Sequence, residues 1–239
     1  MTGAPSSPGK TRRGARAWFL DFDHTLFDTD EFFHVDVRRS FLNLGVDDAS
    51  WERSYATVWH TGYTLGKHAE EVYRQSGSQL PLDEMKRILT DSFSELRRYL
   101  FPDVRSFLER GRKTGVKFYL LSFGDAEWQR YKLLASHIRG YFEGIFLTAR
   151  EGGKAQLVRE RARGCEQVVV VDNNPAELDL IKDVAPAVET YWLKRVPDET
   201  GAPGDELSRL RFFEARSYAG LTSRHQHTVC RSLDDIGFG

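Results

Sequence analysis

The fold of this chain is decided by ten residues near its start, Ala17-Trp18-Phe19-Leu20-Asp21-Phe22-Asp23-His24-Thr25-Leu26. Their apolar beginning predicts a β-strand, which ends in two carboxylates spaced two residues apart. Enzymes with an α/β fold place their reactive groups at the carboxyl ends of such strands. Asp21 and Asp23 would repel each other unless a cation or a shared proton lay between them. The stretch therefore indicates a metal-assisted reaction at the end of a strand.

Three further polar groups follow at comparable places. The apolar run 116–121 ends in Ser122, and the apolar run 168–171 ends in Asp172. Between them, Lys154 stands near the start of a helical stretch. Each of these residues alone would be read as a turn former, a helix cap or a solvated charge. Their joint occurrence at successive strand ends and at a helix start is difficult to produce by chance.

Taken in this order, the four motifs resemble those of the haloacid dehalogenase superfamily of phosphotransferases. The resemblance extends over about residues 17–193. It implies a Rossmann-like α/β core with a doubly wound parallel sheet. The alternation of strands and helices after residue 101 independently predicts a parallel sheet of this kind, because parallel neighbours need long crossover connections.

The resemblance also implies a role for each motif residue. Asp21 is the nucleophile that would form an aspartyl phosphate, and Asp23 is the general acid and base. Ser122 and the backbone N–H groups near it would bind the phosphate, while Lys154 would neutralise negative charge. The catalytic residues implied are thus Asp21, Asp23, Ser122 and Lys154, and the phosphate-binding groups are Ser122, Phe123, Gly124 and Lys154.

The resemblance implies Mg²⁺ as the cofactor, held by the carboxylates of Asp21 and Asp172 and by the backbone carbonyl of Asp23. One departure concerns the fourth motif, in which the family usually has two acidic residues. Here Asn173 follows Asp172, and the next acidic residue is Glu177. Either the amide oxygen of Asn173 or the carboxylate of Glu177 could complete the metal site.

A segment with a helical pattern interrupts the core between the first and second motifs. Its apolar residues at helical spacing, punctuated by glycines, predict about four helices over residues 30–100. In the superfamily, an insert at this position is a cap over the active site. We therefore expect a helical cap at 30–100, a core formed by 17–29 and 101–239, and a disordered basic tail over 1–16. Candidate substrate-selecting residues of the cap are Arg53, Trp59, His60, Tyr63 and Lys67.

Composition narrows the possible partners. Of the 239 residues, 40% are hydrophobic, which suffices for one large domain or for a core with a smaller insert. A formal net charge of −1 argues against bulk attraction to nucleic acid or to anionic lipid. No apolar run reaches the roughly 18 residues of a membrane span. Two cysteines without a CxxC pattern favour a reducing, cytoplasmic setting, and the oligomeric state is left open.

The sequence thus predicts a Mg²⁺-dependent phosphatase that acts on a small phosphomonoester, since a closing cap excludes bulky polymers. A phosphomutase would use the same motifs but transfer the phosphate from Asp21 to a second hydroxyl. A dehalogenase is disfavoured, because the dehalogenases of the family lack an acid at the position of Asp23 and a halide leaves without a proton. A non-catalytic member that binds phosphate or a protein partner is a further alternative, suggested by Asn173 and by an arginine-rich C-terminal region.

Overall fold

The computed structural model describes residues 14–59, 62–76, 80–150, 152–196 and 213–239. The strands in these ranges form one sheet and are β1 (Ala15–Leu20), β2 (Lys117–Phe123), β3 (Phe142–Thr148), β4 (Cys165–Asp172), β5 (Glu189–Leu193) and β6 (Thr228–Cys230). Their order across the sheet is β3-β2-β1-β4-β5-β6, and every neighbouring pair is parallel. The chain changes direction across the sheet at β1, as in doubly wound folds. The predicted fold class is therefore confirmed.

Helices surround this sheet and build the insert. In chain order they are α1 (Arg38–Asn43), α2 (Asp48–Trp59), α3 (Leu65–Ser76), α4 (Leu82–Ser92), α5 (Val104–Lys113), α6 (Ala126–Ala135), α7 (Gly153–Arg161), α8 (Pro175–Val184) and α9 (Phe213–Ala219). A π-helix, Glu31–Val37, leads directly into α1. The helices α1 to α4 form the predicted cap. Within the described ranges, no helix is both long enough and apolar enough to cross a membrane.

Strand β1 lies at the centre of the sheet because its side chains are apolar on both faces. Trp18, Phe19 and Leu20 are all buried, as expected for a parallel strand that helices cover on both sides. Leu20 pairs with Leu120 of β2 and with Val171 of β4. Consequently, the polar residues that follow β1 and β4 emerge side by side at one edge of the sheet.

The helical insert leaves and re-enters the core at one point. The N–H of Asp28 donates to the carbonyl of Tyr99 at 2.7 Å, and the N–H of Phe101 donates to the carbonyl of Leu26 at 3.1 Å. Its predicted apolar positions are buried in a cluster that continues into the core and includes Phe32, Phe33, Phe41, Trp51, Met85 and Leu89. The insert is therefore anchored at the turn that follows β1.

The first strand is longer than the sequence predicted. It begins at Ala15, so residues 15 and 16 belong to the sheet and not to the predicted tail. Ala15 pairs with Cys165, and Arg16 Nε donates to Gln167 Oε1 at 3.0 Å, which extends the pairing of β1 with β4. The rest of the predicted tail, apart from residue 14, lies outside the described residues.

The sequence of residues 227–233 predicts a last edge strand, but β6 ends at Cys230 because Ser232 caps the 3₁₀ turn that follows. The sequence also predicts a helix over 210–218, which corresponds to α9, although residues 210–212 lie outside the described residues. It further predicts a loop over 195–208, which lies outside the described residues from residue 197 onwards.

Gly111 lies where α5 packs closely against aromatic side chains on the sheet. A Cβ atom at this position would lie 2.2 Å from Cζ of Phe118 and 2.8 Å from Cε1 of Phe238. Both rings pack in the aromatic cluster around Trp18, so neither can move freely. We expect Gly111→Ala to lower the free energy of unfolding by about 1–3 kcal/mol, although alanine is the better helix former.

Chemical unfolding of Gly111→Ala beside a control variant, Gly140→Ala, measures this effect. A Cβ atom at Gly140 meets nothing within 4 Å, so this control should remain within about 0.5 kcal/mol of the parent protein. Equal stability of the two variants would contradict the packing of α5 described here.

Candidate active site

The candidate active site is built around one buried lysine. Lys154 Nζ donates to Asp21 Oδ1 and to Asp172 Oδ2, both at 2.7 Å, and all three residues are buried. Asp21 follows β1, Asp172 ends β4, and Lys154 is in the first turn of α7. The structure thus brings together three residues that the sequence predicted to share a site.

These three groups carry one excess negative charge when all are ionised. Burial raises the pKa of Asp21 to about 7 against the opposing effect of Lys154, and burial likewise raises the pKa of Asp172. Burial disfavours the ammonium of Lys154 as well, but its two carboxylate partners raise the pKa of this lysine above the usual range. Excess negative charge in a site shielded from water favours the binding of a cation.

The oxygen atoms at this edge fit a hard cation such as Mg²⁺. The terminal amide atom of Asn173 lies 3.3 Å from Asp21 Oδ2 and 3.2 Å from the backbone carbonyl oxygen of Asp23. With nitrogen at this position, the amide donates to both of these oxygens. With oxygen at this position, the amide oxygen, Asp21 Oδ2 and the carbonyl oxygen of Asp23 form three ligands for a cation. Asp172 adds a carboxylate one residue earlier. Asn173 is thus placed to complete the predicted set, while Glu177 is buried in the first turn of α8.

Asp23 has a different environment from Asp21. Its carboxylate accepts hydrogen bonds from Thr29 Oγ1 at 2.7 Å and from Gln129 Nε2 at 2.6 Å, and it forms an ion pair with Lys132. The side chain of Lys132 is 3% exposed and that of Asp23 is 24% exposed. Burial opposes the charge of Asp23, but Lys132 and the hydrogen bonds outweigh it and lower the pKa of this carboxyl. Asp23 is therefore an ionised and firmly oriented carboxylate in this structure.

Sequence reasoning missed Lys132 and Gln129. Both lie on α6, three residues apart and hence on one face of the helix. One signal was present, since Lys132 precedes the apolar pair Leu133-Leu134 in a helix that follows a motif strand. A lysine at a core-facing position needs an anionic partner. The identity of that partner follows only from the packing of α6 against the turn after β1.

Ser122 provides an uncommitted hydroxyl at the end of β2. It is buried, and its Oγ has no hydrogen-bond partner within the described part of the chain. Buried hydroxyls are normally satisfied, so this one fits a donor to a ligand oxygen.

The two residues after Ser122 contribute differently from expectation. Gly124 has φ = +127°, a conformation that favours glycine, and its N–H donates to the carbonyl of Thr148 at 3.0 Å. The predicted use of this N–H for phosphate therefore requires that it leave Thr148. The Phe123 side chain is half exposed, and its carbonyl accepts from Gln129 Nε2 at 2.9 Å.

The insert reaches this edge through the segment that leads into α3. Lys67 Nζ donates to the carbonyl of Gly62 at 2.9 Å and lies 3.9 Å from Asp125 Oδ2. Asp125 caps α6 by accepting from two backbone N–H groups. Of the other predicted cap residues, Tyr63 is buried beside His68, Trp59 is half exposed, Arg53 donates to Ser50, and His60 lies outside the described residues.

Comparison with known sequences gives one curated relative. A phosphoserine phosphatase of Thermus thermophilus is 29% identical to this chain over 144 residues. The match covers 54% of this chain and 56% of that protein, so it spans little more than half of the relative. No protein-family model matches the chain.

Solved structures share the fold over nearly the whole chain. A haloacid dehalogenase-like hydrolase from Burkholderia xenovorans LB400 has a TM-score of 0.66 at 17% identity, covering 93% of this chain and 94% of that one. The L-2-haloacid dehalogenase of Xanthobacter autotrophicus has a TM-score of 0.59 at 16% identity, with 92% and 96% covered. A HAD hydrolase of Bacillus subtilis bound to magnesium has a TM-score of 0.55 at 13% identity, with 93% and 96% covered.

At these identities, the likeness to solved structures shows a common fold and nothing more specific. The motif residues Asp21, Lys154 and Asp172 meet at the carboxyl edge of that fold, and the curated relative is a phosphatase. The fold that the resemblance implied is confirmed: the chain has the fold of haloacid dehalogenase-like hydrolases.

Proposed function

We propose that this protein is a Mg²⁺-dependent phosphatase that hydrolyses a small phosphomonoester through an aspartyl-phosphate intermediate. The observation that carries the proposal is the buried bridge from Lys154 to Asp21 and Asp172. Beside it is a Ser122 hydroxyl without a partner among the described residues. A nucleophilic carboxylate, a fixed positive charge and a hydroxyl donor are the groups that this type of phosphoryl transfer uses. The phosphoserine phosphatase relative supports a phosphomonoester as the substrate class.

In the first step, Asp21 attacks the phosphorus atom and the bond to the leaving oxygen breaks. Lys154 holds Asp21 in one orientation and offsets the negative charge of the approaching phosphate. Ser122 Oγ would donate to a non-bridging phosphate oxygen. Asp21, Asp172 and the carbonyl of Asp23 would hold Mg²⁺, which would supply further positive charge for the phosphate.

Asp23 has to give a proton to the leaving oxygen and then remove one from water. Lys132 keeps this carboxyl ionised, which is the state that the second step needs. A phosphate dianion bound beside Asp23 would raise its pKa, because like charges disfavour each other. Substrate binding thus provides the condition under which Asp23 takes up a proton, and departure of the product restores the carboxylate.

The alternative activities make different demands on these groups. Loss of a halide needs no proton, so the contacts that orient Asp23 would have no task in a dehalogenase. A phosphomutase would use the same proton transfer but would need an acceptor hydroxyl in place of water.

Free thiols at Cys165 and Cys230 support the proposal that the protein works in a reducing compartment such as the cytoplasm.

A panel of small phosphomonoesters with Mg²⁺ tests the proposed activity. We expect turnover of one or a few of these compounds, its loss with EDTA, and a fall of about a thousandfold or more in Asp21→Asn. Asp183→Asn is the matched control, since Asp183 lies on α8 and pairs with surface residues Arg224 and His225. Parallel assays measure phosphate transfer to a sugar phosphate and halide release from a 2-haloacid. Folded wild-type protein that hydrolyses no phosphomonoester would refute the proposal, and activity in either parallel assay would identify the replacement.

Asp21→Asn should stabilise the metal-free protein above neutral pH. Because the pKa of Asp21 is raised from 3.8 to about 7, its contribution to stability is favourable below pH 3.8 and is lost as the pH rises through 7. An amide avoids this loss, so we expect a gain of about 1–2 kcal/mol at pH 8 and a smaller gain at pH 5. Urea unfolding in EDTA at both pH values measures the difference. A variant that is less stable than the parent at pH 8 would contradict this account.

Asp23→Asn should have the opposite effect, because it leaves the ammonium of Lys132 buried without its anionic partner. We expect a loss of about 2–4 kcal/mol at neutral pH. The double variant Asp23→Asn/Lys132→Met removes the unpaired charge and should recover most of that loss, as measured by urea unfolding. Equal stability of the single and double variants would show that the ion pair does not stabilise the fold.

A further inference from the structure

A second group of polar residues is buried behind the turn that follows β1. It consists of His24 in this turn, Asp30 and His34 at the start of the insert, and Glu214 in the first turn of α9. We refer to these four residues as the His–carboxylate cluster. His24, Asp30 and His34 are each less than 5% exposed, and the Glu214 side chain is 20% exposed. None of them has a role in the phosphatase proposal.

The ligand atoms of three members of the cluster lie at distances that suit one metal ion, and His34 lies beside them. His24, Asp30 and Glu214 each offer an atom within 4.8 Å of the other two. His34 Nε2 lies 3.1 Å from Glu214 Oε1 and 3.8 Å from Asp30 Oδ1. His24 Nε2 lies 3.1 Å from Glu214 Oε2. Ligands of a tetrahedral ion with bonds of about 2.1 Å are about 3.4 Å apart, which falls inside this range.

Charge balance also favours a divalent cation at this place. The cluster has two carboxylates in a buried position, and one divalent ion would compensate both of their negative charges. Imidazole nitrogen together with carboxylate oxygen is a donor set suited to zinc and its first-row neighbours, whereas Mg²⁺ prefers oxygen donors alone.

Hydrogen bonds from neighbouring residues orient the two carboxylates of the cluster, as outer contacts do in metal sites. Asp30 accepts from the backbone N–H groups of Glu214 and Ala215, both at 3.0 Å. The hydroxyl of Tyr55 donates to Glu214 Oε1 at 3.3 Å. Outer contacts of this kind fix the direction of ligand carboxylates and raise metal affinity.

From this geometry, donor set and burial, we propose that the His–carboxylate cluster binds a divalent first-row transition metal ion of the Zn²⁺ type, separate from the Mg²⁺ site. The ion joins three parts of the chain: the turn after β1, the insert and α9. Tyr218 and Ala219 of α9 line a narrow cavity together with His24 and Asn173. The bound metal therefore holds α9 against the edge of the sheet that carries the phosphatase site. This assignment does not depend on phosphatase activity.

Cobalt(II) is the probe for the test, because Co²⁺ in a tetrahedral site absorbs visible light much more strongly than Co²⁺ in an octahedral site, the geometry that oxygen ligands of a Mg²⁺ site impose. The titration uses the full chain with the substitution Asp172→Asn, which weakens the Mg²⁺ site. We expect one strong site per chain by absorption and by calorimetry, with displacement of Co²⁺ by Zn²⁺. His225→Gln is the matched control, since His225 is a surface histidine paired with Asp183.

Three variants locate the binding. His24→Gln and Glu214→Gln each remove a direct ligand and should weaken Co²⁺ binding by more than about 100-fold, since even outer contacts are worth ten- to a hundredfold. Tyr55→Phe removes only the hydroxyl that orients Glu214, so it should fold normally and weaken binding by about tenfold. Binding that survives in all three variants, or that is lost in His225→Gln, would place the metal elsewhere. If the Asp172→Asn protein without further substitutions has no strong Co²⁺ site, protons and not a metal compensate the negative charge of the cluster. That result would overturn the proposal.

Discussion

The structure depends on one buried charge, the ammonium of Lys154. A lysine whose side chain is 4% exposed is stable only if anions replace the water that it has lost. Asp21 and Asp172 provide these anions, and both are themselves buried carboxylates that need the lysine. The ends of β1 and β4 and the start of α7 therefore cannot slip relative to one another without leaving a buried charge unpaired. The requirement that stabilises this edge of the sheet also positions Asp21, the proposed nucleophile.

The pKa values of the two carboxylates of the first motif are shifted away from those that the first step of the proposed reaction needs. Burial raises the pKa of Asp21, although a nucleophile must be ionised, and Lys132 helps to lower the pKa of Asp23, although an acid must carry a proton. A cation beside Asp21 and a phosphate beside Asp23 would reverse both tendencies, because each ligand brings the charge that its neighbour lacks. In the proposed reaction, the chemistry would therefore be coupled to binding, because metal and substrate together would bring the two side chains to their reactive states. The division of roles between nearby carboxylates by their environments is a general device of such sites.

The part of the site that the sequence predicted is the part that parallel strands determine. Polar residues after neighbouring parallel strands must meet at one edge, so Asp21 and Asp172 could be placed from their order along the chain. Lys132 could not be placed in this way, because the face of α6 that turns towards Asp23 depends on how this helix packs. Glu214 was harder still, since it lies 190 residues from its partner His24 and its role follows only from the docking of α9. The parallel sheet itself was predictable from the alternation of strands and helices, because parallel neighbours need long crossover connections. The early start of β1 was not, because it depends on pairing with β4.

The turn after β1 connects the active site to the cap and to α9. His24 has φ = +58°, a left-handed conformation that costs a residue with a Cβ atom roughly 1–2 kcal/mol. Through this turn, Asp23 faces Lys132 on α6, whereas the next residue, His24, faces Asp30 and Glu214. A rearrangement of the insert or of α9 that displaces His24 therefore acts on Asp23 through a single peptide bond. The strained conformation is retained because a relaxed turn would send one of these two side chains away from its partners. Either Lys132 would lose its carboxylate, or Asp30 and Glu214 would lose the imidazole of His24.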